Sequence, residues 1–166
     1  MRTLLLTFLL ANVSILLMGQ EKLHTIKKNG MEVQWHREKD KIRFKMTAPT
    51  TGWVTIGFNE FNVIIGAYLL MGRVRQNETE VVEHFTIGPG NYVPIKTLDD
   101  KILVSEVSGV EAKSVTTILF SVAVSSTCTY QKDLAAGTPY WMTLAYSLED
   151  DYQHHSMMRT SVRIKL

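Results

Sequence analysis

Between Met31 and Met46 apolar and polar residues alternate with period two. Met31-Glu-Val-Gln-Trp and Ile42-Arg-Phe-Lys-Met put Met31, Val33, Trp35, Ile42, Phe44 and Met46 on one face, either side of a charged turn over His36–Lys41. That is the pattern of a β-hairpin. Ala48-Pro-Thr-Thr-Gly predicts a turn, because Pro49 cannot donate to a ladder. The densest apolar stretch of the chain outside its N-terminal run follows, Thr51 to Val74, broken by Gly52, Gly57, Gly66 and Gly72. Glycine in strand-like sequence marks bends or close backbone approach, so this stretch divides into a strand (Trp53–Phe58), a loop (Asn59–Gly66) and a second strand (Ala67–Val74). With aromatic flanks, such a bent pair predicts a pocket wall.

The same logic carries to the end of the chain. Arg75-Gln-Asn-Glu-Thr is a polar turn into a strand at Glu80–Ile87, and Gly88-Pro-Gly-Asn is a turn cluster. Asn77-Glu-Thr79 also matches a glycosylation sequon, a composition that a turn supplies anyway. Leu98-Asp-Asp-Lys predicts a turn, Ile102–Val107 a short strand ended by Ser108-Gly109, and Ser114–Val124 a central strand with both faces partly buried. Tyr130–Ala136 is the one helix-like stretch, about two turns capped by Gly137. Tyr140–Ser147 returns to strand, an acidic loop follows at Glu149-Asp-Asp, and Thr160–Leu166 predicts an edge strand. Short strands with frequent turn signals predict an all-β, immunoglobulin-like β-sandwich of about nine to eleven antiparallel strands.

The N-terminus breaks this pattern. Arg2 precedes an apolar run from Leu4 to Met18 that ends in Gly19, the profile of a signal peptide over residues 1–19, with cleavage before Gln20. A membrane anchor is the alternative, but the run is polar at Thr7, Asn12 and Ser14 and short of the ~20 residues a spanning helix needs. Residues 20–166 then form one exported domain, periplasmic or extracellular, without a membrane span. Loss of Arg2 leaves a near-balanced charge, against the clustered basic surface of a nucleic-acid binder. Cys128 is the only cysteine, so no internal disulfide forms and the fold rests on its apolar core.

Enzyme signatures are missing. There is no Gly-x-Ser-x-Gly elbow, no His-Glu-x-x-His and no Gly-rich phosphate loop. The pairs Asp99-Asp100 and Asp150-Asp151 fit turns, where aspartate is favoured for backbone reasons. A binding protein is expected, not an enzyme.

Candidate chemistry gathers in Tyr152-Gln-His-His-Ser-Met-Met-Arg-Thr, with two imidazoles and two thioethers just before the last strand. These are donors for copper(I) or for the axial positions of haem iron. Two readings stand: His154, His155, Met157 and Met158 as a metal-binding cluster, or the methionines as core and the histidines exposed. Alternation would send His155 and Met157 to one side and His154 and Met158 to the other. His84, on a strand beside Phe85, is a further imidazole. Trp53, Tyr68, Trp141 and Tyr146 are either stacking platforms for a sugar or core residues.

Taken together, Gly52-Trp-Val-Thr-Ile-Gly-Phe, Gly66-Ala-Tyr-Leu-Leu-Met-Gly, the strand at Val81–Phe85, the Phe120 strand, Asp133-Leu with Gly137, and Ala145-Tyr before a histidine-bearing loop resemble a DOMON domain. The resemblance runs in order over roughly residues 25–166. The Gly19-Gln20 junction resembles exported proteins of Bacteroidota-type bacteria. The resemblance implies a β-sandwich that binds haem b or a sugar, with electron transfer or redox sensing as the role and a small-molecule ligand or redox protein as the partner. In haem-binding members a methionine after the Gly-Phe motif and a histidine before the final strand hold the iron. The histidine falls on His155, with His154 one register away. The methionine falls on Ile65, which has no lone pair and is the basis for a further alternative, a structural domain with a filled pocket, and a family aspartate falls on Tyr68. Met71, Met157 and Met158 are the other thioethers near these segments, and His154 or His84 would give a second imidazole. Trp53, Phe58 and Ile65 are the expected apolar wall for a porphyrin.

Overall fold

The computed structural model describes residues 22–166. The expected signal peptide, its cleavage point and the alternative anchor lie outside the described residues. Eleven strands run in chain order: β1 (His24–Lys28), β2 (Met31–Glu38), β3 (Lys41–Ala48), β4 (Val54–Asn59), β5 (Tyr68–Arg75), β6 (Glu78–Gly88), β7 (Asn91–Pro94), β8 (Val104–Ala112), β9 (Val115–Ala123), β10 (Pro139–Tyr146) and β11 (Met158–Lys165). They form two antiparallel sheets, one of five strands ordered β1-β2-β3-β9-β8 and one of six ordered β11-β10-β4-β5-β6-β7. Among the described residues no helix is long and apolar enough to cross a membrane.

The period-two pattern of the first hairpin is realised in the fold. Met31, Val33, Trp35, Ile42, Phe44 and Met46 are all buried between the sheets. The turn is tighter than the charged segment suggests, because β2 runs to Glu38 and β3 begins at Lys41, leaving Lys39 and Asp40 as a two-residue connection with Lys39 at φ 53°. Cross-strand pairing keeps charged residues on the outer face while the apolar ones pack. Phe44 stacks on Phe120 of β9 at 5.6 Å and tilts against Phe58 of β4 at 5.9 Å, so aromatic contacts join the two sheets through the centre.

Two predicted elements differ. Residues 130–136 form no α-helix. Leu134 is fully buried, its N–H donates to the Val124 carbonyl, and its own carbonyl receives Arg37 Nη2 at 2.7 Å. Gln131 is pinned as well, donating to Glu83 Oε2 and to the Lys101 carbonyl. These long-range bonds fix the segment against the sandwich and outweigh a weak local helix propensity. The strand expected to end at Ser108-Gly109 continues through it as β8, bulged between Ser105 and Ser108 with Glu106 at φ 54°. A bulge absorbs the irregularity without ending the pairing. A short 3₁₀ turn at Ile95–Thr97, which no local pattern suggested, buries Ile95.

The central stretch occupies the middle of the six-stranded sheet. β4 pairs with β10 on one side and β5 on the other, and β4 is buried on both faces. Its inner face, Val54, Ile56 and Phe58, enters the sandwich core, while Trp53 and Thr55 face away from it. The same parity holds on β5: Tyr68 and Leu70 point inward, Leu69 and Met71 outward. This second, outward layer positions the site.

Candidate functional site

On the outer face of the six-stranded sheet a second apolar cluster forms from Trp53, Ala67, Leu69, Met71 and Ala145, with Ile64, Tyr92 and Tyr152 packed against it. Apolar surface on an outer face requires a cover, and three connections supply it: residues 60–67, the turn at Pro89-Gly90, and residues 147–157. Between them and the sheet lies a cavity of about 310 Å³. Trp53, Thr55, Leu69, Met71, Thr143 and Ala145 line it from the sheet, Ile64, Pro89, Gly90 and Tyr92 from one side, and Gln153, His154, His155, Ser156 and Arg159 from the other.

The cover is held by its backbone. Ser147 N donates to the Trp53 carbonyl at 3.0 Å, Trp53 N donates to the Glu149 carbonyl at 3.1 Å, and Met157 N returns to the Tyr146 carbonyl at 2.9 Å. Ser147 Oγ donates to the His155 carbonyl at 3.1 Å, and the Tyr92 hydroxyl donates to the Tyr152 carbonyl. Arg73 donates to the Asp150 carbonyl at 2.6 Å and lies over the Tyr152 ring at 4.5 Å. Gly52 makes this approach sterically feasible, since a Cβ there would meet Glu149 N at 2.5 Å. On the opposite rim Asn59, buried at the end of β4, donates to the carbonyls of Val63 and Ile65 at 2.8 and 2.9 Å. In the loop it clamps, Ile64 lines the cavity while Phe61, Val63 and Ile65 are exposed to solvent.

The residues singled out from sequence therefore separate. His154, His155, Met71 and Trp53 come together around one cavity. Phe58 and Tyr68 do not join them: both are fully buried in the sandwich core, on the other face of the sheet. The Tyr68 hydroxyl donates to Glu83 Oε2 at 2.8 Å, and burial pushes this phenol well above its ordinary pKa, so it stays a donor. Ile65 is 54% exposed, and its neighbour Ile64 takes the wall position instead. The four-donor cluster does not converge either, since Met157 is 66% exposed and Met158 packs against the sandwich core. Trp141 is half-buried, and Tyr146 packs into the inner core.

His84 is buried under the site, not in its lining. Its ring meets Tyr92 and Tyr152 edge-on at 5.5 and 5.4 Å, and Nδ1 lies 3.1 Å from the Val82 carbonyl. Burial lowers its pKa below the ordinary imidazole value. Sequence reasoning missed Asn59, Tyr92 and Arg159. Only Arg159 carried a local signal, lying two residues beyond Met157 in a segment otherwise full of donors.

The chemistry available is specific. The floor is apolar, a thioether projects from it at Met71, and two imidazoles stand in the covering loop. Trp53 Nε1, buried among these groups, has no hydrogen-bond partner among the described residues. A buried donor left unpaired costs about 1–3 kcal/mol.

A search of curated protein sequences finds no match. Solved structures do match. The cytochrome b domain of pyranose dehydrogenase from Coprinopsis cinerea superposes with a TM-score of 0.62 at 6% identity, covering 86% of this chain and 81% of that one. The cytochrome domain of Myriococcum thermophilum cellobiose dehydrogenase gives a TM-score of 0.60 at 6% identity, covering 87% and 81%. At such identity the likeness establishes the fold. The family model of the DOMON domain matches residues 27–147, from the first strand through the end of β10. This chain belongs to the DOMON domain family.

Proposed function

We propose that this protein is a non-catalytic, exported binding module whose outer-face cavity takes haem b, for electron transfer or redox sensing. The observation that carries this reading is the meeting of Met71 and His155 at one apolar-floored cavity. A methionine–histidine pair is an established axial set for haem iron. Met71 would supply the thioether that Ile65 cannot, and His155 an imidazole from the covering loop. His154 is the neighbouring imidazole. Trp53, Leu69, Ile64 and Ala145 supply the apolar surface a porphyrin needs. Haem bound here would supply a one-electron iron centre, and a redox protein would be its partner. That the two structures compared are cytochrome domains of dehydrogenases supports the same reading.

Titration of haem into the purified protein is the test. The expected result is a Soret band at one equivalent, lost in His155→Ala and altered in Met71→Leu. A protein that takes up no haem would end the reading. A sugar or other small ligand without haem is the second reading, favoured by Trp141, the half-exposed tryptophan on the same outer face. Quenching of tryptophan fluorescence across a glycan panel, abolished in Trp141→Ala, would establish it.

A further inference from the structure

The cavity has a charge character that its apolar floor does not require. Its lining contains Arg159, His154 and His155, and no aspartate or glutamate. Arg159 opens β11 opposite Ala145 of the cavity floor and is solvent-exposed. It enters none of the ion pairs among the described residues. The acidic residues of the covering loop are turned elsewhere. Glu149, Asp150 and Asp151 line a separate surface depression with Arg73 and Arg75. A guanidinium at the rim without an ion-pair partner among the described residues, two imidazoles beside it and no carboxylate in the lining form a site suited to an anion.

We infer that the ligand of this cavity is a flat apolar molecule carrying a carboxylate, which Arg159 binds at the rim. Guanidinium suits this task because its fork of N–H groups matches a carboxylate in two parallel bonds. The apolar body covers Leu69, Met71 and Ala145. The inference rests on the preceding reading only for the choice of cavity and holds for any ligand of this class, with or without iron.

The test uses metal-free protoporphyrin IX and its dimethyl ester, so that no iron ligation contributes. The diacid is expected to bind about tenfold more tightly than the ester, the worth of one charge-assisted hydrogen bond. Arg159→Gln should remove that difference by weakening the diacid alone. Equal affinity for diacid and ester, or an Arg159→Gln that weakens both alike, overturns the inference while leaving the haem reading intact. If neither porphyrin binds, the haem reading stands or falls on its own titration, where iron ligation contributes, and the same comparison with pyrenebutyrate and its methyl ester decides the inference. Selective loss of the acid in Arg159→Gln then supports it, and binding without preference, or none, ends it.

Discussion

The two faces of the six-stranded sheet are both apolar but closed in different ways. The inner face meets a second sheet, and side chains from both interdigitate: Phe58 lies 5.9 Å from Phe44 of the five-stranded sheet. The outer face meets loops. Loops cannot interdigitate as strands do, because their backbone groups need partners of their own and much of their contact is hydrogen bonding. What remains between loop and sheet is a cavity. Packed sheets produce stability, and a sheet covered by loops leaves room for a ligand.

The largest expected effect breaks the inner side. Phe58→Ala removes a fully buried ring at the meeting of the sheets and should lower unfolding stability by about 3–5 kcal/mol in urea titration. A loss under about 1 kcal/mol would mean that Phe58 is not packed into the inner core. Next is Glu83, buried on the inner side of β6. It accepts from Leu103 N at 2.5 Å, Val104 N at 2.8 Å, the Tyr68 hydroxyl and Gln131 Nε2. Glu83→Gln replaces one of these acceptors with a donor and should cost about 2 kcal/mol, seen as a lower thermal midpoint. On the outer face Met71→Leu conserves volume and should cost under about 1.5 kcal/mol while removing the thioether. Unchanged haem affinity and spectrum in that variant would dissociate Met71 from the proposed iron site.

His84 gives a pH-dependent contrast. Its folded pKa lies below the ordinary 6.5, because burial disfavours the charged ring. Above 6.5 both folded and unfolded states hold it neutral and its contribution is complete. As pH falls below that value the unfolded state takes up the proton first, so stability declines with falling pH. His84→Phe should flatten this slope in denaturant titrations between about pH 7 and 5, and an unchanged slope would place its source elsewhere. The smallest effect is expected at Arg159, where Gln at an exposed position should shift stability by no more than about 0.5 kcal/mol, leaving any change in ligand affinity to binding alone.

Alternation in β2 and β3 was legible because one face is apolar and the other charged, so Met31 to Met46 could be placed without coordinates. β4 and β5 were legible as strands but not as faces. Every residue of β4 is buried, so hydrophobicity could not say which side is inward. Parity alone already separated Trp53 from Phe58 and Met71 from Tyr68, a signal that grouping them into one wall overlooked. The helix expected at residues 130–136 failed for a related reason, since its stretch of favourable residues is short and Leu134 is claimed by the sandwich core.

The sequence by itself determined the all-β class and most of the strands, because period-two patterning and turn residues act locally. It also marked the loop that bears His154 and His155. Tertiary structure alone decided that Met71 shares a cavity with those histidines, that Ile65 and Met157 face solvent, and that Arg159 stands unpaired at the rim. These outcomes depend on the pairing of strands distant in sequence and on how Gly52 and Asn59 let the loops settle. No local pattern encodes which of two apolar faces will meet a sheet and which will meet a loop.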